Sequence, residues 1–201
     1  LEQRGCIMRH LDLASGESRL EPATHYSPLA CDEQALQHCF GPRLRMLLVG
    51  AGQLAQSLSE LALAMDYEVI VTDPRAAALD QWEGPSVLLV QGMPDDVIRD
   101  NVVDDHSVII TLTHDPRIDD MALMEALETQ AWYVGALGSV RTTQKRRDRL
   151  AQLGLSPATI ERLHAPVGID IGSKTPIEIA VSIMAELTLL RSRRDRSGPA
   201  R

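Results

Sequence analysis

The chain has 201 residues, 44% hydrophobic and 24% charged, which suits one folded domain of generous size and excludes a largely disordered chain. Lys+Arg 20 against Asp+Glu 28 gives −8; five Arg and one Asp fall in 191–201, so residues 1–190 carry −12 and lack the basic face of a nucleic-acid binder. Six aromatic residues (Tyr26, Phe40, Tyr67, Trp82, Trp132, Tyr133) are too few for a base-stacking platform, and no window approaches the ~18 uninterrupted apolar residues of a membrane span.

The opening LEQRGCIMRHLDL carries charge throughout and does not read as a secretory signal, while Leu1 in place of an initiator Met reads as a fragment of a longer chain. Cys6, Cys31 and Cys39 are odd in number and widely spaced, which matches neither a disulfide framework nor a zinc site. They read as ordinary thiols of a cytoplasmic protein. Residues 1–42 form an expected N-terminal arm. Within it Cys6–Leu13 and Ser18–Glu21 pair as a hairpin across Ala14–Glu17, where Ser15–Gly16 supplies turn chemistry. Cys31–Phe40 reads as a short helix leading to the linker Gly41–Pro42.

From Arg45 onward, short apolar runs alternate with helical patterns, which predicts a doubly wound α/β domain with a parallel sheet over 43–191. Strands are expected near Arg45–Val49, Glu68–Thr72, Val87–Val90, Ser107–Leu112 and Trp132–Gly135. Their Val/Ile/Leu runs are nearly continuous, as in strands covered on both faces. Helices fit at Gln53–Met65, Pro94–Asn101, Ile118–Thr129 and Arg141–Leu153, with a short one after Ser156–Pro157. A last helix starts at Thr175–Pro176 and runs to about Arg191, burying Ile179, Ile183 and Leu187. Residues 192–201 read as a disordered basic tail.

The first sharp motif is Gly50-Ala51-Gly52-Gln53-Leu54-Ala55, between an apolar strand and a helix. Gly50 permits the tight turn, Gly52 lets a phosphate approach the backbone, and Ala55 lets helix and strand pack closely. Asp73 follows 23 residues after Gly50, where a carboxylate hydrogen-bonds a ribose hydroxyl. That position favours an unphosphorylated ribose, although the adjacent Arg75 complicates the reading. A Rossmann-type domain follows. Its ligand stays open among a dinucleotide such as NAD, S-adenosylmethionine or none.

Polar groups at the carboxyl ends of later strands complete the candidate cleft. Thr113-His114-Asp115 ends the fourth strand; His114 with Asp115 offers an acid or base, a metal ligand or an anion contact, and Asp115 alternatively caps the next helix. Gly138-Ser139 follows the fifth strand, with Arg141 the expected contact for a phosphate or carboxylate. Arg146, Arg147 and Arg149 read as a solvated face. Asp170, in Gly168-Ile169-Asp170-Ile171-Gly172-Ser173-Lys174-Thr175-Pro176, places another carboxylate near the cleft, or sits in a plain connecting loop. No H-E-x-x-H, P-loop, G-x-S-x-G or C-x-x-C occurs.

Together LLVGAGQLAQSLSELA, VTDPR, TLTHDPRIDD, YVGALGSVRTTQKRRDRL and RLHAPVGIDIGSKTPIEIAVSIMAEL resemble the XdhC/CoxI family, maturation factors of xanthine and carbon monoxide dehydrogenases, over residues 44–191. The resemblance implies a cytoplasmic factor that binds the molybdenum cofactor, takes part in its sulfuration with a cysteine desulfurase, and delivers it to a molybdenum hydroxylase apo-enzyme. It also implies a cleft containing Gly50, Gly52, Asp73, His114, Asp115, Gly138, Ser139, Arg141 and Asp170. Two departures stand out. Gln53 occupies a position where the family usually has His, and the family's separate N-terminal domain is absent or reduced to residues 1–40. The cofactor's mononucleotide or dinucleotide form stays open, and a paired or swapped N-terminal arm fits a homodimer. Two other classes compete: an NAD-dependent oxidoreductase using His114 for proton transfer, and a nucleotide-sensing interaction module.

Overall fold

The computed structural model describes residues 4–23, 27, 29–102 and 104–196. The chain divides into two compact units, one of Leu1–Arg43 with Thr188–Arg201 and the other of Leu44–Leu187.

In the first unit, β1 (Cys6–Asp12) and β2 (Ser18–Ala23) form the expected hairpin. Its turn is organised by Asp12, whose carboxylate accepts from the backbone N–H groups of Ala14 and Ser15. The helix expected over Cys31–Phe40 is a correction: the segment instead forms part of β3 (Ala30–Cys31) and all of β4 (Ala35–Phe40). Asp32 reverses the chain by accepting from the N–H groups of Gln34 and Ala35 at 2.8 Å each. β4 then pairs antiparallel along β1, from Ile7↔Phe40 to Asp12↔Ala35. Ladder hydrogen bonds outweigh the helix propensity of Ala, Leu and Gln. The sheet order is β2-β1-β4-β3.

The second unit contains six parallel strands in the order β10-β9-β8-β5-β6-β7. These are β5 (Arg45–Val49), β6 (Glu68–Asp73), β7 (Leu88–Gln91), β8 (Ser107–Thr111), β9 (Tyr133–Ala136) and β10 (Leu163–His164). The order reverses between β5 and β8, the topological switch point at which open α/β sheets receive ligands. Met46, Leu47, Leu48 and Val49 are fully buried, as are Val108, Ile109 and Ile110. Each such side chain contributes roughly 1.5–3 kcal/mol of hydrophobic stabilisation, which explains why both central strands read as continuous apolar runs.

The crossover helices are α1 (Gln53–Ala64), α2 (Ala76–Asp80), α3 (Pro94–Asn101), α4 (Pro116–Ala126), α5 (Val140–Gln152) and α6 (Pro157–Glu161), and α7 (Pro176–Arg196) follows the last strand. α1 buries Ala55, Leu58, Ser59 and Ala62, one face at helical spacing. Asp115, Ser139 and Ser156 cap α4, α5 and α6 through their side chains. Thr175 and Glu178 form a reciprocal cap at α7, where Ala180, Ile183, Met184 and Leu187 are buried and Ile179 is half-buried. α7 continues through 192–196, so that stretch is helical and not part of a disordered tail; 197–201 lie outside the described residues.

The arginines of α5 are a second correction. Arg146 is 6% exposed and donates to Asp119 Oδ2 at 2.9 Å and to the Leu137 carbonyl at 3.0 Å. Arg147 donates to the carbonyls of Ile160 and Leu163, and Arg149 pairs with Asp120. These cations join α5 to α4, α6 and β10. Among the described residues no helix is long and apolar enough to cross a membrane.

Candidate functional site

A crevice of about 1040 Å³ opens where β5, β6 and β8 end. Its floor is the turn from β5 into α1. Gly50 has φ +108°, and a Cβ there would lie 2.9 Å from Thr113 Cγ2, so both backbone conformation and packing demand glycine. Its N–H donates to the Thr72 carbonyl at 2.8 Å, tying the turn to β6.

Gly52 differs. It is the N-cap of α1 with ordinary extended dihedrals (φ −93°, ψ −178°), and an added Cβ would meet no atom within 4 Å. No side chain caps α1 and no acidic residue stands in its first turn. The amide groups beginning α1 therefore face the crevice with the positive end of the helix dipole behind them. Such a terminus has the polarity that favours an anion.

Two ion pairs line the walls. Asp73 accepts from Ala51 N at 3.1 Å, and from Arg75 N, Nε and Nη2 at 3.0, 2.9 and 2.9 Å. Burial pushes its carboxyl up, but the Arg75 hydrogen bonds and the Ala51 amide outweigh that and leave it below the usual value. Asp115 accepts from Arg117 N, Nε and Nη2, which brings its carboxyl down to about 2. These pairs cancel in charge. Lys174, which lines the crevice with Pro176 and Ile179, leaves the lining with a net positive charge inside an acidic chain.

A smaller chamber of about 430 Å³ adjoins, sharing Thr113, His114, Pro116 and Leu137 with the crevice and adding Gly138, Lys145, Arg146 and Arg149. Thr113 is fixed there by its hydroxyl, which donates to Asp119 at 2.7 Å. Burial raises the Asp119 carboxyl above its ordinary value, against the lowering effects of Thr113 and Arg146.

The structure thus brings Gly50, Gly52, Gln53, Asp73, Arg75, His114 and Asp115 to one crevice, with Gly138 in the side chamber. Three expected residues stand apart. Ser139 is closed into a capping box with Thr142, whose hydroxyl accepts from Ser139 N at 2.7 Å, so that helix start has no vacancy for an anion. Arg141 is exposed and lines neither chamber; Lys145, one turn further along α5, takes the inward position. Asp170 is exposed and turns back to accept from Gly172 N at 3.2 Å.

The loop carrying Asp170 is anchored at both ends. Gly168 (φ +95°) lies so close to α7 that a Cβ would approach Ser182 Oγ to 2.3 Å. Its N–H donates to Glu186, which also accepts from the Tyr133 hydroxyl at 2.9 Å. Glu178 accepts from Lys174 N and Thr175 N at 2.8 Å each. These anchors hold Lys174 at the crevice. The sequence reading missed Lys174, Arg117 and Lys145 as lining residues. Lys174 was visible inside GSKTP, the polar stretch before a capped helix.

Neither partner of the His114–Asp115 candidate pair has a clear catalytic setting. Asp115 is committed to the α4 cap and Arg117, and His114 is exposed at the ridge between the chambers. Among the described residues no group of three or more His, Cys, Asp or Glu could hold a metal ion.

Strand order and glycine turn define a Rossmann-type domain with a crevice at its switch point. The chain belongs to the XdhC Rossmann domain family, whose model matches residues 46–187. It is 30% identical over 153 residues to a probable xanthine dehydrogenase subunit of Bacillus subtilis, covering 76% of this chain and 44% of that protein. It is 29% identical over 154 residues to the molybdenum cofactor insertion chaperone PaoD of Escherichia coli, covering 76% of this chain and 42% of that protein. A crystal structure of a xanthine dehydrogenase from Bacillus halodurans matches 99% of this chain and 64% of its own, with TM-score 0.76 and 25% identity. The chain spans less than half the length of these curated relatives.

Proposed function

We propose that this chain serves in the maturation of a molybdenum hydroxylase, holding the molybdenum cofactor by its phosphate at the start of α1. The uncapped turn at Gly52, open at the switch point of the sheet, is the observation that carries this reading. The cargo is a pterin bearing a phosphate, or a nucleotide in its dinucleotide form. The amides beginning α1 hydrogen-bond the phosphate, Lys174 adds charge, and Ile118, Leu137 and Ile179 offer apolar wall to the ring system.

A carrier needs binding and release, not a nucleophile–base pair, and the commitment of Asp115 to the α4 cap agrees with that need. The name of PaoD, an insertion chaperone, supports extending the role to delivery into an apo-enzyme. Cofactor sulfuration with a cysteine desulfurase belongs to the same proposal as the step before delivery. The NAD-dependent oxidoreductase reading loses its main support, because Asp73 is already saturated by Ala51 and Arg75.

The test is retention. The purified chain is incubated with released molybdenum cofactor, gel-filtered, and assayed for the fluorescence of the oxidised pterin; NADH is titrated in parallel by its emission. Pterin retained by the chain and reduced at least ~100-fold in affinity by Gly52→Val is the expected result, since the valine would occupy phosphate space. No retained pterin, together with saturable NADH binding, would overturn the proposal.

A further inference from the structure

In a dinucleotide-binding domain the acid at the end of the second strand takes the hydroxyls of an unphosphorylated ribose. Asp73 stands at that place, and the sequence expectation followed from it. The structure fills the position differently. Ala51 N, Arg75 N, Arg75 Nε and Arg75 Nη2 use two acceptor sites on each Asp73 oxygen, the whole capacity of a carboxylate. The Asp73 side chain is 1% exposed, whereas that of Arg75 is 71% exposed and forms part of the crevice wall.

A ligand entering the crevice therefore meets the guanidinium edge first, with the carboxylate screened behind it. Of the five N–H donors of that group, two are used on Asp73, and three remain. Asp115, the other acid of the wall, is held by Arg117 and the α4 cap. Fixed by its bidentate pair with Asp73, Arg75 has less conformational freedom to lose on meeting a ligand.

We infer that Arg75 sets the ligand class of the crevice: at the end of β6 the site takes a phosphate group in preference to a bare ribose diol. A guanidinium facing a phosphate pairs two opposite charges, whereas a ribose hydroxyl offers only a neutral acceptor, and the planar fork matches two phosphate oxygens. The ligands selected are phosphomonoesters, or nucleotides carrying a phosphate beside the group held at α1. NAD, with unmodified ribose hydroxyls, falls outside that class. This inference rests on the reading of the crevice as the ligand site given above.

Two commercially simple probes differ by the one group at issue: adenosine 5′-monophosphate and adenosine 2′,5′-bisphosphate. Calorimetric titration of the whole chain at fixed ionic strength is expected to give ~10-fold or tighter binding of the bisphosphate. Arg75→Ala is expected to abolish the preference, and by uncovering Asp73 to leave the monophosphate bound as well as before or better. Arg75→Gln, which keeps a donor for Asp73, serves if the alanine variant melts early. Equal affinities in the unaltered chain, or a preference that survives in a well-folded Arg75 variant, would overturn the inference. Heat from neither probe would overturn it as well. A chain that ignores both nucleotides yet retains pterin keeps the carrier proposal and loses this one.

Discussion

Two strand-to-helix turns of this sheet share one vocabulary, a glycine followed by a helix start, and come out with opposite properties. At β5–α1 the glycine cap leaves the first amides without a side-chain partner, with open space where a Cβ would point. At β9–α5 the same kind of turn is closed: Ser139 and Thr142 satisfy each other's backbone, and a Cβ on Gly138 would reach Thr142 Oγ1 at 2.7 Å. Beneath the closed turn, Arg146 ties Leu137 to Asp119. A helix N-terminus becomes a ligand site only when the protein withholds its own cap.

Stability measurements give the largest expected break between the two turns. Arg146→Ala should cost about 3–5 kcal/mol in urea unfolding, because Asp119 would be left buried without its partner. Since burial already raises the Asp119 carboxyl, its protonation favours the folded chain, and that variant's deficit should shrink as pH falls toward the carboxylate range and grow as pH rises through it. A loss below about 1 kcal/mol would mean that the closed turn does not depend on this pair.

Gly52→Val acts on the other turn. It should remove at least ~100-fold of pterin or phosphate affinity while costing no more than about 1 kcal/mol of stability, the ordinary penalty for a β-branched N-cap, since no protein atom lies within 4 Å of the added Cβ. Strong destabilisation would show that the space is not reserved for a ligand. Ser139→Ala should lower stability by about 1 kcal/mol, visible as a lower melting temperature, and leave ligand affinity unchanged within ~2-fold. The smallest effect is expected from Arg141→Ala: no measurable change in either quantity, because that side chain lines neither chamber. A clear loss of affinity there would restore the sequence expectation.

Much of this architecture is legible in the chain because burial on both sides of a parallel sheet leaves uninterrupted apolar runs, such as Met46–Val49 and Val108–Ile110. Caps were legible for a similar reason: Asp115-Pro116 and Ser156-Pro157 are local chemistry. What escaped was set by distant partners. β10 is two residues long and exists through its pairing with β9, Leu163↔Val134. β4 looked helical because its composition favours a helix, and its pairing with β1 and β3 makes it a strand. Arg146 and Arg149 looked solvated because their acids, Asp119 and Asp120, lie on another helix.

The candidate site divides along the same line. Gly50, Gly52 and the strand–helix context were readable as a turn, and the structure keeps them together. The state of Asp73 was not readable, since nothing in a sequence tells whether a neighbouring arginine folds back onto a carboxylate or reaches outward. Arg141 and Ser139 were placed correctly at a helix start, but the direction in which that start faces is a property of packing against α4. Lys174 reaches the crevice through anchors on Glu178 and Glu186; the first follows from the local Thr175–Glu178 capping spacing, whereas the reach of Glu186 to Gly168 N is set by tertiary packing.

The most direct test of the central claim is a titration of the uniformly ¹⁵N-labelled chain with inorganic phosphate, followed amide by amide. The account predicts saturable shifts at Gly52, Gln53 and Leu54, abolished by Gly52→Val, and no saturable shift from Ser139 to Thr142. Matching shifts at both turns, or none at the start of α1, would contradict it.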